Sequence, residues 1–303
     1  MKLILLTLLA LTQLTQAQLT IKKDQRVLWL GDSVTAKGTH IGLIDGYLIT
    51  QHPELNITNM PCGLSSETAC GLSEPLHPWP RPNVHERLDR AIAKLEFEVA
   101  IVCYGVNDGI YYPFSEERFK AYHEGMTKLI TKLKASGAKV IALTPAPFDA
   151  GSFPTNKLLP EGADEYGYTK VYQGYNEVMK RYAKWVMEES PADLKIDITN
   201  SLTEAIEKRR KADPSFRSGD GVHPNDEAYA MLAEIILEGL GEKSASLGKV
   251  PAEKQKLALK KHHLLGTAYR EHVGHKRPGG PKNPMPLKEA LEKATALEKR
   301  IRG

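Results

Sequence analysis

Short apolar runs alternate with longer helical stretches along most of this 303-residue chain. Each run is rich in Val, Ile or Leu, and continuous apolar strands separated by helices are typical of a parallel sheet covered on both faces. The pattern therefore predicts an α/β fold, a flavodoxin-like three-layer sandwich with a central parallel sheet. The predicted strands are residues 26–30, 56–60, 98–104, 139–144 and 194–198, and the predicted helices are residues 40–51, 84–95, 115–136, 165–190, 201–211 and 225–240.

Two short patterns predict where helices begin and end. Ser201 is followed by Glu204 three residues later, which is the form of a capping box at a helix start. Lys134 and Gly137 lie at the end of the 115–136 stretch, where a basic side chain and then a glycine favour helix termination.

A Gly-Asp-Ser sequence ending at Ser33 directly follows the apolar run at residues 27–30. This order predicts a tight strand-to-helix turn at the carboxyl end of the sheet, where open α/β folds bind their ligands. Far downstream, Asp220 and His223 share one short polar loop. A serine hydroxyl is a weak nucleophile until a base takes its proton, and the usual base is a histidine oriented by a carboxylate. The residues therefore predict a serine hydrolase.

Four sequence blocks, taken in order, resemble the SGNH (GDSL-type) hydrolase superfamily over roughly residues 26 to 240. The resemblance implies an SGNH hydrolase fold and a secreted bacterial esterase. One departure is that the first block reads Gly-Asp-Ser-Val instead of Gly-Asp-Ser-Leu, a change of one aliphatic side chain. The blocks are Leu30-Gly31-Asp32-Ser33-Val34-Thr35, Asn59-Met60-Pro61-Cys62-Gly63-Leu64-Ser65-Ser66-Glu67-Thr68, Tyr104-Gly105-Val106-Asn107-Asp108-Gly109 and Asp220-Gly221-Val222-His223-Pro224.

The same resemblance implies a role for each block. Ser33 would be the nucleophile, His223 the base and Asp220 the acid that orients the imidazole. The backbone amides of Ser33 and Gly63, with the side chain of Asn107, would form the oxyanion hole. Taken singly, each block has an ordinary alternative, such as a turn at Asn107 or a tight bend at Gly63.

Two further acids, Asp32 and Asp108, lie beside the predicted catalytic residues in the sequence. In the family the catalytic acid comes just before the histidine, which favours Asp220 for that role. Asp32 and Asp108 are expected to tie loops together through backbone hydrogen bonds.

Signatures of other enzyme classes are missing from the sequence. The Gly-x-Ser-x-Gly elbow of larger α/β-hydrolases does not surround Ser33. No P-loop, Gly-x-Gly-x-x-Gly, C-x-x-C or H-E-x-x-H pattern occurs. The predicted chemistry is therefore ester hydrolysis with no metal or organic cofactor.

Two Pro-rich or Gly-rich loops, residues 72–83 and 145–163, are candidates for shaping the substrate site. The sequence favours an esterase that removes acetyl or similar small acyl groups from a polysaccharide or oligosaccharide. The alternatives are a lipid-directed esterase or lysophospholipase and, from another class, a non-catalytic glycan-binding module. The loop side chains suited to sugars are His77, Trp79, Arg81, Tyr111, Tyr112 and Tyr166.

The first 17 residues have the parts of a secretory signal peptide: one lysine, a short apolar core and a Thr-Gln-Ala site before Gln18. The apolar core is shorter than the ~20 residues that span a bilayer. We therefore expect a secreted or periplasmic protein without stable membrane insertion.

A basic tail follows the predicted hydrolase domain, which covers residues 18–242. Residues 243–303 hold 15 Lys and Arg against 5 Asp and Glu, whereas residues 1–242 hold 26 against 32. Helices are predicted at 251–273 and 286–301. The favoured interpretation is a helical extension packed on the main domain; because an exported protein rarely meets nucleic acid, no such partner is expected. In the alternative, His272, His275 and Arg277 reach an acidic substrate.

The three cysteines allow one internal disulfide at most. Cys103 lies in an apolar run and is expected to be a small buried side chain. Cys62 and Cys70 flank a short loop and could pair if their geometry permits.

Overall fold

The computed structural model describes residues 20–243 and 245–303. The predicted signal peptide, residues 1–17, lies outside the described residues. Five strands form a parallel sheet in the order β2-β1-β3-β4-β7, and β5 and β6 form a separate two-stranded sheet. The strands are β1 (Arg26–Gly31), β2 (Thr58–Pro61), β3 (Val99–Cys103), β4 (Lys139–Leu143), β5 (Leu158–Leu159), β6 (Val171–Tyr172) and β7 (Leu194–Ile196).

Helices cover both faces of the sheet, so the predicted three-layer α/β sandwich is confirmed. They are α1 (Ser33–Lys37), α2 (Thr39–Gln51), α3 (Leu88–Lys94), α4 (Glu116–Ala135), α5 (Tyr175–Glu188), α6 (Ile198–Ala212), α7 (Asp226–Gly239), α8 (Ala252–Val273) and α9 (Leu287–Arg302). Short 3₁₀ helices are found at Pro53–Leu55, Val84–Glu86, Thr155–Lys157 and Leu247–Lys249.

Strand β1, which lies between β2 and β3, shows why the sheet is buried on both sides. Leu28 and Leu30 belong to one apolar cluster, with side chains of α3, α4 and α5, whereas Val27 and Trp29 belong to the other, with side chains of α2, α6 and α7. Because successive strand residues point to opposite faces, an unbroken apolar run is what a sheet between two helical layers requires.

Two helix starts and the continuity of one helix differ from the sequence prediction. Helix α5 begins ten residues later than expected, because Gly167 and Lys170 form a turn and the following residues pair as β6. Helix α6 begins at Ile198 instead of Ser201, because the side chain of Asp197 accepts the Asn200 amide and caps it there. The 84–95 helix is broken at Arg87, whose side chain is drawn into the core by Glu67 at 2.7 Å.

The basic extension forms two helices, as predicted, and α8 packs against α2 and against the edge strand β2. Covering an edge strand removes exposed backbone groups from solvent. Close approach of α8 is allowed by Gly46, where a Cβ would lie 2.9 Å from Ala258. The buried Lys261 pairs with Asp45 of α2 at 3.1 Å and with Glu298 of α9 at 2.6 Å.

None of the described helices has the length and apolar character that a membrane span requires.

Candidate active site

Ser33 is the first residue of α1 and follows β1 after one intervening residue. Gly31 allows this sharp turn, because a Cβ there would lie 2.1 Å from Thr35 Oγ1 and 2.7 Å from the Cys103 carbonyl oxygen. Asp32 caps α1 by accepting the Val34 amide at 2.9 Å. The N–H of Ser33, at the helix start, has no acceptor within the helix.

A chain of hydrogen bonds joins Ser33 to the predicted loop at 220–224. His223 Nε2 lies 2.8 Å from Ser33 Oγ, and His223 Nδ1 lies 2.8 Å from Asp220 Oδ2. Asp220 Oδ1 accepts the amides of Val222 at 2.9 Å and His223 at 2.7 Å. The carboxylate therefore fixes both the loop and the ring, and when Nδ1 donates to Asp220, Nε2 is left to accept the serine proton.

The charges of this pair favour a basic imidazole. The hydrogen bond to Asp220 raises the pKa of His223 against the opposing effect of burial. Burial alone would raise the pKa of Asp220, but hydrogen bonds from the His223 side chain and backbone lower it to about 2. Asp220 is thus ionised at neutral pH and stabilises the protonated ring.

The predicted loop at residues 145–163 also supports the histidine loop, a role that the sequence did not indicate. The Asp149 amide donates to the Gly221 carbonyl oxygen at 2.8 Å. The Asp149 carboxylate accepts hydrogen bonds from Arg210 and Ser218, each at 2.6 Å. No pattern around Asp149 points to this role, because Arg210 and Ser218 lie more than 60 residues away in the sequence.

Gly63 lies against the first turn of α1, where a Cβ would be 2.4 Å from the Ala36 nitrogen. Only glycine can therefore bring the backbone this close to Ser33. Within the described part of the chain the Gly63 amide donates no hydrogen bond, so it is free to bind a ligand oxygen.

Asn107 is buried and held by two contacts. Its Oδ1 accepts the Tyr111 hydroxyl at 2.9 Å, and its Nδ2 donates to the Glu67 carbonyl oxygen at 3.1 Å. A carboxamide nitrogen carries two hydrogens, so one remains for a ligand in the cavity that Asn107 lines. From the sequence, Tyr111 is expected only to contact a sugar, and no role is predicted for Glu67.

A fully buried ion pair lies beneath these loops. Arg87 forms two hydrogen bonds of 2.7 Å with Glu67 and donates to the Cys62 carbonyl oxygen at 2.8 Å. Tyr104 donates its hydroxyl hydrogen to Glu67 Oε2 at 2.6 Å. The network therefore connects both sides of Gly63 to the strand that precedes Asn107.

Asp32 and Asp108 hold backbone amides, as expected. Asp108 Oδ1 accepts the amides of Ala69 and Cys70, both at 2.8 Å. Burial raises the pKa of Asp32 to about 7 and that of Asp108 to about 6. Neither carboxyl group has the hydrogen bond to His223 that Asp220 has.

The possible disulfide between Cys62 and Cys70 does not form, since both are free cysteines. Each sulfur has its own partner instead: Arg87 donates to Cys62 Sγ at 3.1 Å, and Cys70 donates to the Asp108 carbonyl oxygen at 3.8 Å. Cys103 is buried, as predicted.

Two cavities meet at Ser33 and His223, one of about 520 Å³ and one of about 430 Å³. Both predicted loops line the larger cavity. Tyr112 and Tyr166 do not line it. Their ring centroids lie 5.0 Å apart, and the Tyr166 hydroxyl donates to the Pro160 carbonyl oxygen in its own loop. The larger cavity is lined by His77, Trp79, Arg81, Asn107, Tyr111, Phe153, Pro154 and Lys157, among others.

In residues 20–243 and 245–303, no three His, Cys, Asp or Glu side chains are grouped to hold a metal ion.

Comparison with known proteins gives one family match. The model of the GDSL-like lipase/acylhydrolase family matches residues 29–231. No curated protein matches the chain in sequence.

Several solved structures share the fold. A gut microbial diltiazem-metabolizing enzyme matches with a TM-score of 0.56 and 20% identity, over 75% of this chain and 49% of that one, so the match spans about half of that protein. A catalytic mutant of Axe2, an acetylxylan esterase from Geobacillus stearothermophilus, matches with a TM-score of 0.52 and 18% identity. The match covers 73% of this chain and 96% of that one. LAE5, an alpha/beta hydrolase enzyme from the metagenome of Lake Arreo, Spain, matches with a TM-score of 0.51 and 15% identity. The match covers 75% of this chain and 100% of that one.

Proposed function

Because the chain belongs to the GDSL-like lipase/acylhydrolase family and is a carboxylic ester hydrolase, we propose that it removes acetyl or similar small acyl groups from a carbohydrate. The observation that carries the proposal is the hydrogen-bonded chain from Ser33 Oγ through His223 to Asp220. Ser33 and His223 line both cavities and Asp220 lines the larger one, so nucleophile, base and orienting acid adjoin a space for the substrate, as acyl transfer requires.

In the first half of the reaction, Ser33 Oγ attacks the acyl carbon while His223 Nε2 takes the serine proton. The carbonyl oxygen becomes an oxyanion, which accepts hydrogen bonds from the Ser33 and Gly63 amides and from Asn107 Nδ2. The tetrahedral intermediate collapses, the ester bond breaks, and His223 returns the proton to the leaving alcohol.

In the second half, water attacks the acyl group on Ser33 and His223 takes the water proton. The second tetrahedral intermediate releases the carboxylic acid, and the proton on His223 returns to Ser33 Oγ. Asp220 remains ionised throughout and stabilises the imidazolium that forms in each half.

A carbohydrate substrate is supported by the walls of the larger cavity. Trp79 and His77 present partly exposed ring surfaces beside Ser33 and Asn107. Such aromatic faces pack against sugar rings while their polar ends bind hydroxyl groups. Two solved catalytic mutants of Axe2, which share the fold, belong to an acetylxylan esterase.

The test is a series of 4-nitrophenyl esters from acetate to octanoate, measured beside acetate release from acetylated oligosaccharides. We expect kcat/KM to be highest for acetate and acetate to be released from the saccharides. A clear preference for octanoate and longer chains contradicts the proposal and favours a lipid-directed esterase.

We also propose that residues 1–17 direct export and are removed. Mass spectrometry of the protein recovered from periplasm or medium should then give an N-terminus at Gln18. Recovery of the uncleaved chain in the cytoplasm alone contradicts this part of the proposal.

A further inference from the structure

The smaller cavity lies on the side of Ser33 and His223 that faces the basic extension. One wall is formed by the end of α1 and the other by the end of α8 with the segment that follows it. The extension therefore contributes directly to the space beside the nucleophile. The side chains from the extension are Arg270, Glu271, His275 and Arg277.

This cavity has an excess of positive charge. Its lining includes Lys37, Arg270 and Arg277 but one carboxylate, Glu271. Glu271 is already engaged, lying 3.6 Å from Arg270 and 3.1 Å from His275. Among the described residues, no acidic side chain forms an ion pair with Lys37 or Arg277. The charge in the cavity is therefore not neutralised by the protein.

Arg277 stands between the two cavities and lines both. Its guanidinium lies over the Trp79 ring at 5.7 Å, and its Nη1 donates to the Pro278 carbonyl oxygen at 3.1 Å. Its Nε is buried with no hydrogen-bond partner in the described structure. A buried donor of a charged group without a partner costs free energy, which an anionic ligand would offset.

His275 adds a second unsatisfied group to the same wall. Its side chain is only 6% exposed, and its Nδ1 is buried without a hydrogen-bond partner. Together with Arg277 it leaves two polar atoms of the extension unpaired beside the catalytic residues. The alternative noted in the sequence had His272, His275 and Arg277 reach the substrate; His275 and Arg277 line the cavity, whereas His272 is exposed and lines neither cavity.

We propose that the smaller cavity binds a carboxylate of the substrate, with Arg277 as its main contact, so that the ester cleaved at Ser33 is carried by an acidic saccharide. The inference rests on the proposed esterase function. The planar guanidinium can bind the two oxygens of a carboxylate side by side. The Trp79 ring beside it offers a face for the sugar that carries the carboxylate.

The kinetic test compares acetylated galacturonate oligosaccharides with acetylated xylo-oligosaccharides, which carry no charge. The ratio of kcat/KM on the acidic to that on the neutral substrate is measured for the wild type, Arg277→Gln and Arg300→Gln. Arg300 is an exposed arginine of α9 and serves as the control. We expect Arg277→Gln to lower the ratio about 10-fold or more, mainly through KM, because a hydrogen bond to a charged group contributes about 1.5–3 kcal/mol. Arg300→Gln should leave it at the wild-type value.

A binding measurement separates this inference from the proposed function. Ser33→Ala protein, with and without Arg277→Gln, is titrated calorimetrically with galacturonate oligosaccharides that carry no acetyl group. If Arg277→Gln weakens oligosaccharide binding about 10-fold or more, the result supports carboxylate binding in the smaller cavity. This holds even if the wild type cleaves no acetate ester, and in that case only the proposed function is contradicted. If Arg277→Gln changes neither the kcat/KM ratio nor the binding, while the enzyme cleaves neutral acetate esters, the carboxylate inference is overturned and the proposed function stands. If inorganic sulfate at the same concentration binds as tightly as the oligosaccharide and displaces it, the cavity is a general anion site, and the carboxylate assignment is overturned.

Discussion

Tyr111 donates its hydroxyl hydrogen to Asn107 Oδ1 at 2.9 Å, and this contact decides which way the Asn107 amide faces. With its oxygen engaged by Tyr111 and one N–H by the Glu67 carbonyl, the amide presents its remaining N–H to the cavity. Tyr111 itself has a φ of +67°, a strained value for a residue other than glycine. Such strain is maintained where the surrounding structure fixes a functional geometry.

We predict that Tyr111→Phe lowers kcat roughly 5- to 30-fold and changes KM little, because the loss of one buried hydrogen bond loosens the Asn107 amide at a cost of about 1–2 kcal/mol. Asn107→Ala should lower kcat by about 10²–10³-fold. In the Asn107→Ala background, Tyr111→Phe should then have no further effect on kcat. Fully multiplicative effects in the double variant contradict a role exerted through Asn107.

The second prediction concerns the pH dependence of activity. The reaction needs neutral His223, whose pKa is raised by Asp220, so kcat/KM should fall as the pH drops through a value above 6.5. Asp220→Asn removes the charge, and the acid limb should move to lower pH while kcat falls by roughly 10³–10⁴-fold. Asp32→Asn and Asp108→Asn serve as comparisons. If the acid limb of the kcat/KM profile shifts in Asp32→Asn but not in Asp220→Asn, the assignment of Asp220 as the catalytic acid is contradicted.

The five strands of the main sheet were predictable within a few residues, because strands such as β1 and β3 lie between two helical layers and are apolar runs, whereas the short strands β5 and β6 were not predicted. The starts of α5 and α6 were not predictable. The start of α5 depends on the pairing of β6 with β5 in the loop before it, and the start of α6 depends on competition between two capping side chains, Asp197 and Ser201. The sequence blocks predicted Ser33, Gly63, Asn107, Asp220 and His223 as site residues, and the structure brings them together. The partners that orient them, Tyr111, Glu67 and Asp149, were missed because a long-range hydrogen bond leaves no periodic trace in a sequence.

The third prediction concerns the buried pair of Glu67 and Arg87, whose side chains are both 0% exposed. Glu67→Gln leaves the Arg87 charge without its counter-ion, so the free energy of unfolding should fall by about 3–5 kcal/mol. Glu96→Gln, which breaks an exposed pair with Arg26, should change it by less than about 1 kcal/mol. Urea unfolding curves of both variants measure the difference. Equal stability of the two variants contradicts the account of the network.

The fourth prediction concerns stability at acid pH. Burial lowers the pKa of His262, at the contact between α8 and Gly38, to about 3. Because this folded-state pKa lies below the ordinary value of about 6.5, the contribution of His262 is fully present above pH ~6.5 and is lost as the pH falls toward 3. Between pH 7.5 and 5.0, this one group should lower the free energy of unfolding by roughly 2 kcal/mol.

His262→Met should therefore make the free energy of unfolding less sensitive to acid by about that amount. His272→Met, which replaces an exposed histidine of the same helix, should keep the wild-type dependence. Urea unfolding at the two pH values checks both. The same loss of stability in wild type and His262→Met shows that the acid sensitivity arises elsewhere, for example at His40, whose pKa is also lowered to about 3 by burial.

The central claim is that Ser33 forms the covalent acyl intermediate, and a fluorophosphonate reagent tests it most directly. Intact-protein mass spectrometry of the wild type should show a single adduct, with peptide mapping placing it on Ser33 and esterase activity lost in proportion. Ser33→Ala should take up no adduct, while its unfolding curve remains that of a folded protein. Modification at another residue, or retained ester turnover in folded Ser33→Ala, would contradict the account.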